Sequence, residues 1–147
     1  MNKPLEALAA TLKSHGYSIT KSRKAVFMAL LDREPQSIAE LTKIIGDTTD
    51  RASIYRTLEL FESLNIVERL PIGWKHKFEL SDTFTKHHHH ATCIRCGKVV
   101  PFEESDVIKL ELKRQAETIG FLETNHQLEV RGICDTCRQT TLARSSI

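Results

Sequence analysis

In the first half of the chain, apolar residues recur at helical spacing. Leu5, Leu8 and Leu12 share one helical face, and Gly16 can end that helix. Thr20 is placed to cap a second helix with Val26, Leu30 and Leu31 facing inward. Ser37-Ile-Ala-Glu40 has the form of a capping box, in which Ser37 caps the helix and Glu40 reaches back. Ile38, Leu41, Ile44 and Ile45 continue at the same period until Gly46. After the polar loop DTTD, Asp50 can cap a fourth helix with Ile54, Leu58, Phe61 and Leu64 as its buried stripe. The period then shortens to two. Ile66–Leu70 and Trp74–Leu80 read as strands joined by a turn at Pro71-Ile-Gly73. Trp74, His76, Phe78 and Leu80 fall on one face of the second strand, with Lys75, Lys77 and Glu79 on the other.

The second half mixes both periods. Lys98–Phe102 reads as a strand. Glu103, Glu104 and Asp106 crowd the start of a helix, where negative charge is favoured. Ile108, Leu112, Ala116 and Ile119 are expected to form the buried stripe of that helix, and Gly120 ends it. Asn125–Ile133 alternates as a strand, with His126, Leu128 and Val130 on one face. This half is α+β, is too small to stand alone, and is expected to pair with another copy.

Three helices followed by a two-stranded hairpin is the order of a winged helix-turn-helix, whose helix before the hairpin enters the DNA major groove. Its outward residues here are Arg51, Ala52, Ser53, Tyr55 and Arg56, with Thr57 beside them. Arg reads guanine edges, and Ala, Thr or Tyr meets a thymine methyl. Lys21, Arg23 and Lys24 at the start of the second helix are placed to hold phosphates.

Charge refines this picture only slightly. The net charge is +2, and all of it falls in residues 1–80, which carry 12 Lys and Arg against 10 Asp and Glu. Nucleic-acid binding would therefore rest on local patches and not on bulk charge. The longest apolar run, Ala25–Leu31, is far too short to cross a membrane, and MNKPLEAL has no apolar signal core. The expected location is the cytoplasm, with no membrane partner.

The candidate chemistry lies in the second half. Cys93-x-x-Cys96 is followed by 37 residues and then Cys134-x-x-Cys137. Four cysteines allow two disulfides, but two Cys-x-x-Cys pairs in a reducing compartment point to metal. Each turn supplies two thiolates to a tetrahedral, closed Zn²⁺ site, which is structural and not catalytic. Just before the first pair stands His87-His-His-His90. Tags occur at chain ends, whereas this run is interior. In an extended segment, successive side chains alternate, so His87 and His89 face one way while His88 and His90 face the other. Two N/O metal sites follow, with His126, Glu79 and the Glu103/Glu104/Asp106 cluster as further donors. Such sites exchange metal more readily than a four-thiolate site and suit Zn²⁺, Fe²⁺ or Mn²⁺. One permanent metal and one exchangeable metal, joined to a DNA-binding unit, are the parts of a metal sensor.

Taken together, Thr20-x-x-Arg23, Ala52-Ser-Ile-Tyr55-Arg56, Phe78-Glu79-Leu80, the histidine run, Cys93-x-x-Cys96-Gly-Lys, Asn125-His126 and Cys134-x-x-Cys137 resemble the ferric uptake regulator (Fur) family, which includes the zinc uptake regulators. The resemblance spans nearly everything from Gly16 to Cys137. It implies a homodimeric repressor of palindromic double-stranded operators: a winged-helix domain over residues 1–81, a hinge and metal-sensing segment over 82–90, and an α/β dimerisation domain over 91–147. By position, Tyr55 and Arg56 lie in the recognition helix. Cys93, Cys96, Cys134 and Cys137 hold structural zinc. Glu79, His88 and His90 form the hinge sensor site, and His87, His89 and His126 form a second site in which His89 replaces an aspartate common in iron regulators.

The chain departs from the iron-type pattern twice. Where a histidine is usual before the third helix it has Glu34-Pro35-Gln36, and where an acid is usual before the strand phenylalanine it has Pro101. Zinc-type members add an acid from the first wing strand, and Glu68 falls about there. Glu68, Glu79, His88 and His90 would then make a four-ligand sensor site, which favours regulatory Zn²⁺ over Fe²⁺. A metal carrier or storage protein would use the histidines but leaves the recognition-helix pattern unexplained. A zinc hydrolase lacks HExxH and a nucleophile constellation, so no enzyme activity is expected.

Overall fold

The computed structural model describes residues 3–72, 75–124 and 126–144. Gly73, Trp74 and Asn125, which entered the expectations above, lie outside the described residues. The chain divides into two compact units, Met1–Lys86 and His87–Ile147.

The first unit contains four helices and a hairpin: α1 (Lys3–Ser14), α2 (Lys21–Leu30), α3 (Ile38–Ile45), α4 (Arg51–Ser63), β1 (Val67–Ile72) and β2 (Lys75–Leu80). The caps are where the sequence puts them. Thr20 accepts from the Arg23 amide and Asp50 from the Ser53 amide. Ser37 and Glu40 form the reciprocal box, with Ser37 N–H donating to Glu40 Oε2 at 2.6 Å. Burial pushes the Glu40 carboxyl up, but its bonds to Ser37 and the nearby Lys77 outweigh this and hold it below the usual range. The left-handed φ of +53° at Asn65 ends α4 and turns the chain into the wing.

The helices share one core. Leu8, Leu12, Val26, Phe27, Leu41, Ile54, Leu58 and Phe61 are sealed from solvent, and Ile66, Val67, Phe78 and Leu80 of the wing close it. Thr57, expected beside the outward residues of α4, is also buried, at 6% exposed, so it faces the core. At 3.6 residues per turn it stands beside Ile54 and Leu58. Gln36 exchanges two backbone hydrogen bonds with Phe78, at 2.9 and 2.8 Å, and so adds a single rung on the far edge of β2. The hairpin is longer than expected. Pro71 and Ile72 pair with His76 and Lys75, which moves the turn beyond Pro71. Proline is tolerated there because β1 is an edge strand.

The second unit is a three-stranded sheet in the order β4-β3-β5 with two helices: β3 (His89–Cys93), β4 (Val99–Phe102), α5 (Asp106–Thr118), β5 (Glu129–Gly132) and α6 (Asp135–Arg144). β3 runs antiparallel to β4 and parallel to β5. Three expectations need correction. The helix is capped by Ser105 and begins at Asp106, so Glu103 and Glu104 precede it. β5 covers four residues, and His126 and Leu128 lie in the segment before it. The stripe on α5 is not buried within one chain: Ile108 is 42% exposed and Ile119 70%. Leu112 and Ala116 are half-buried, so the stripe is only partly covered by its own chain, as on a helix that meets a partner. Among the described residues, no helix is long and apolar enough to cross a membrane.

Phe61 is one of the largest fully buried side chains of the first core. Replacing it with Ala is expected to destabilise the first unit by about 3–5 kcal/mol, read as a lower urea midpoint with an unchanged slope.

Candidate metal centres and DNA-facing surface

Cys93 ends β3, and the chain reverses through Ile94-Arg95-Cys96 to Gly97, whose φ of +71° is left-handed. The Gly97 amide donates to Cys93 O at 2.9 Å, and Cys93 N–H donates to Lys98 O at 2.8 Å. Ile94 N–H donates to Gly132 O at 2.9 Å, tying this turn to the end of β5. Cys134 and Cys137 lie at the start of α6, a helix the sequence pattern does not announce because its face is largely polar.

The four sulfurs lie within 4.8 Å of one another, and Cys96 Sγ is 3.7 Å from Cys134 Sγ. A zinc ion with Zn–S of about 2.3 Å has a tetrahedral sulfur–sulfur edge of about 3.8 Å, so the tetrad has the right size. The backbone of the turn also favours a thiolate at one corner of the tetrad. Amide N–H groups of Cys134, Cys96 and Arg95 donate to Cys93, lowering its pKa to about 6. Cys137, packed against the sulfurs of Cys134 and Cys96, is pushed up to about 12. A fourth thiolate among the others needs a positive charge between them.

The histidine run alternates as an extended chain requires. His87 and His89 rings are 4.7 Å apart, and His88 and His90 rings are 4.8 Å apart. On the first face, His126 joins with ring centroids 5.1 Å from His87 and 5.2 Å from His89. Glu104 completes this group: one carboxylate oxygen, Oε2, lies 2.9 Å from His126 Nε2 and 3.4 Å from His89 Nε2. Ligand atoms of His87, His89, Glu104 and His126 all fall within 4.8 Å of one another. Of the acidic cluster, Glu104 is the member that arrives, carried by the segment between β4 and α5. Burial drives the His89 pKa down, which favours the neutral ring over the imidazolium. Burial pushes Glu104 up, but His126 and His89 more than offset this and hold its carboxyl below the usual range. Three imidazoles and one carboxylate match the donor set of a divalent transition ion.

His90 is 9% exposed and stands opposite Pro101 across β3 and β4. In the first unit, Glu79 is 8% exposed and faces Glu68 directly across the hairpin. Like charges at facing positions are unfavourable unless a cation or proton lies between them. Glu68 belongs to neither cluster of the second unit.

On α4, Arg51, Ala52, Tyr55 and Arg56 are exposed and Ser53 is half-buried. The Arg51 guanidinium lies 5.8 Å from the centre of the Tyr55 ring, and Arg56 donates to Ser53 Oγ at 3.2 Å. These contacts hold the side chains along one exposed ridge. Lys21 and Lys24 are exposed at the start of α2. Arg23 is half-buried, donates to Ser18 O and stacks 5.3 Å from the Tyr17 ring centre, so it braces the turn before α2.

Cys134→Ser should remove one sulfur of the tetrad. The variant is expected to lose its bound metal by elemental analysis and to expose the second unit to protease, with the first unit still folded.

Residues 14–131 match the family described as the Ferric uptake regulator family. The chain is 35% identical to the Ferric uptake regulation protein of Vibrio anguillarum over 144 residues, covering 92% of this chain and 94% of that one. It is 30% identical to the Peroxide-responsive repressor PerR of Staphylococcus saprophyticus over 139 residues, covering 91% of each. Among solved structures, the Helicobacter pylori ferric uptake regulator Fur, reported with three functional metal binding sites, superposes with a TM-score of 0.79 at 25% identity, covering 92% of both chains. Regulators of this family are DNA-binding dimers and not enzymes. With its mixed helix and sheet fold and its cysteine and histidine clusters, the chain belongs to the ferric uptake regulator family of metal-responsive transcriptional regulators.

Proposed function

We propose that this chain is a homodimeric, zinc-responsive repressor. Cys93, Cys96, Cys134 and Cys137 hold a structural Zn²⁺, and Glu68, Glu79, His88 and His90 hold the regulatory ion. His87, His89 and His126, with Glu104, form the second site. The observation that carries this reading is the sorting of four consecutive histidines into two ring pairs, His87 with His89 and His88 with His90, along the segment that enters β3. One pair has a complete donor set within its own unit. The other needs carboxylates, and the wing supplies two that face each other across the hairpin.

Two imidazoles and two carboxylates make a four-donor N/O set, which suits tetrahedral Zn²⁺ better than an octahedral Fe²⁺ site. Glu34-Pro35-Gln36 and Pro101 stand where iron-type members bring further ligands, which favours zinc on the same ground. The division of labour that follows is domain 1–81 for DNA, segment 82–90 for sensing and domain 91–147 for pairing. Exposed Val107, Leu110 and Ile119 on α5 support pairing with a second copy. Metal held jointly by wing carboxylates and by His88 and His90 would limit the orientations open to the DNA-binding domains, favouring the one that matches a palindromic operator.

The test is operator binding in buffered Zn²⁺, in buffered Fe²⁺ without oxygen, and with a chelator that spares the thiolate tetrad. Tight binding in Zn²⁺ alone is expected. Binding in Fe²⁺ alone would overturn the zinc assignment, and binding in none would favour a metal carrier without specific DNA recognition. His90→Ala is expected to abolish metal-dependent DNA binding while keeping the zinc of the tetrad, as checked by metal content and mobility shift. Tyr55→Ala and Arg56→Ala should each weaken operator binding by about 1–3 kcal/mol, whereas Lys21→Ala should weaken all sequences alike and reduce the salt slope by about 1.

A further inference from the structure

A carboxylate outside every ligand set lies against the second cluster. Glu123 Oε1 contacts His126 Nδ1, while Glu104 Oε2 sits 2.9 Å from Nε2 on the other side of the same ring. The side chains are withdrawn from solvent: Glu123 is 17% exposed and His126 19%. We propose that Glu123 is the positioning residue of this site, holding His126 so that Nε2 is the nitrogen presented to the metal. The proposal rests on reading His87, His89, Glu104 and His126 as a metal site.

The argument is one of ring geometry. His126 lies ahead of β5, in a segment with no ladder to fix its side chain. Its ring must nevertheless meet His89 and Glu104, which are carried on β3 and on the approach to α5. A neutral imidazole that ligates through one nitrogen carries its proton on the other, and an acceptor at that proton fixes both tautomer and ring orientation. Glu104 Oε2 is shared with His89 Nε2, so the Nε2 edge of His126 faces the other donors. Nδ1 is then the nitrogen left for the proton, and Glu123 is the acceptor on it. A carboxylate also makes the ring a stronger donor to a cation. The separation of three residues lets one short segment carry both groups, so they move together. No metal-ligand spacing in the sequence singles out Glu123, because the residue touches no other member of the cluster.

The test uses the full-length protein with the thiolate tetrad filled with zinc, in a His90→Ala background so that the other histidine pair is impaired. Co²⁺ is titrated and followed by its d–d bands, with Zn²⁺ competition against a chromophoric chelator. Glu123→Ala is expected to weaken Co²⁺ binding by about 10–100-fold. Glu123→Gln keeps an acceptor of the same length and should recover part of that loss. Long-range ¹H–¹⁵N correlation in the Zn²⁺-loaded protein should place the His126 proton on Nδ1, and Glu123→Ala should lose that preference with the fold unchanged. Equal affinity in parent and Glu123→Ala would overturn the proposal. So would a shift of the d–d bands in Glu123→Gln, which would make Glu123 itself a ligand. If His126→Ala also binds Co²⁺ as the parent does, the metal-site reading fails, and the positioning role with it.

Discussion

The convergence of four sulfurs organises the second unit. Few of its apolar side chains are buried; Cys93 and Val99 are the described apolar residues below a tenth exposed. A sheet of short strands with so little core needs another source of cohesion. The two cysteine turns supply it by joining the end of β3 to the start of α6, segments about 40 residues apart in the chain. A tetrahedral ion at that junction converts metal-binding energy into folding energy. The histidines inherit the benefit, because β3 carries both His89 and His90 and ends in Cys93.

The first unit is built on different physics. Its core is closed by helix faces and the wing, and its caps are satisfied locally. The buried faces of α1, α2, α3 and α4 leave their polar faces free, and the exposed side of α4 carries the Arg51, Tyr55 and Arg56 ridge. Gln36 pairs with Phe78 on one edge of β2, and Arg69 of β1 reaches back to Glu62 of α4 at 2.7 Å. Helix α4 and the hairpin are thereby tied to one another around Phe78, next to Glu79 in the chain. Whatever acts on that carboxylate acts on a strand already coupled to α4.

Where a residue's role depends on local periodicity or on a cap, the sequence was enough. Thr20, Ser37, Glu40 and Asp50 cap as their types and positions demand, and Val26, Ile54, Leu58 and Phe61 are buried as spaced. The same period of two made the pairing of alternate histidines legible. What depends on tertiary approach was not legible. Glu104 and Glu103 are equivalent as sequence, and the course of the chain between β4 and α5 chooses between them. Glu123 gains meaning from the ring it meets. Thr57 was misplaced because polar residues on a short helix face are ambiguous at a resolution of one position. The α5 stripe is apolar as its spacing demands, but burial does not follow from spacing, and Ile108 and Ile119 are exposed within one chain. The length of β5 and the presence of α6 were lost to weak patterning in a polar segment.

The parity of the short stretch from His87 to Cys93 has a consequence for how such a protein can change over time. Exchange of one side chain for another at these positions alters donor chemistry one site at a time, as the histidine at position 89 illustrates. Gain or loss of a single residue between His90 and Cys93 is a different event. The cysteine end is fixed, so every residue upstream would trade sides; because the four histidines are consecutive, one face would still receive two of them and the other would keep one. An unbroken run of four thus buffers one face against a slip of register at the expense of the other, which two separated pairs would not do.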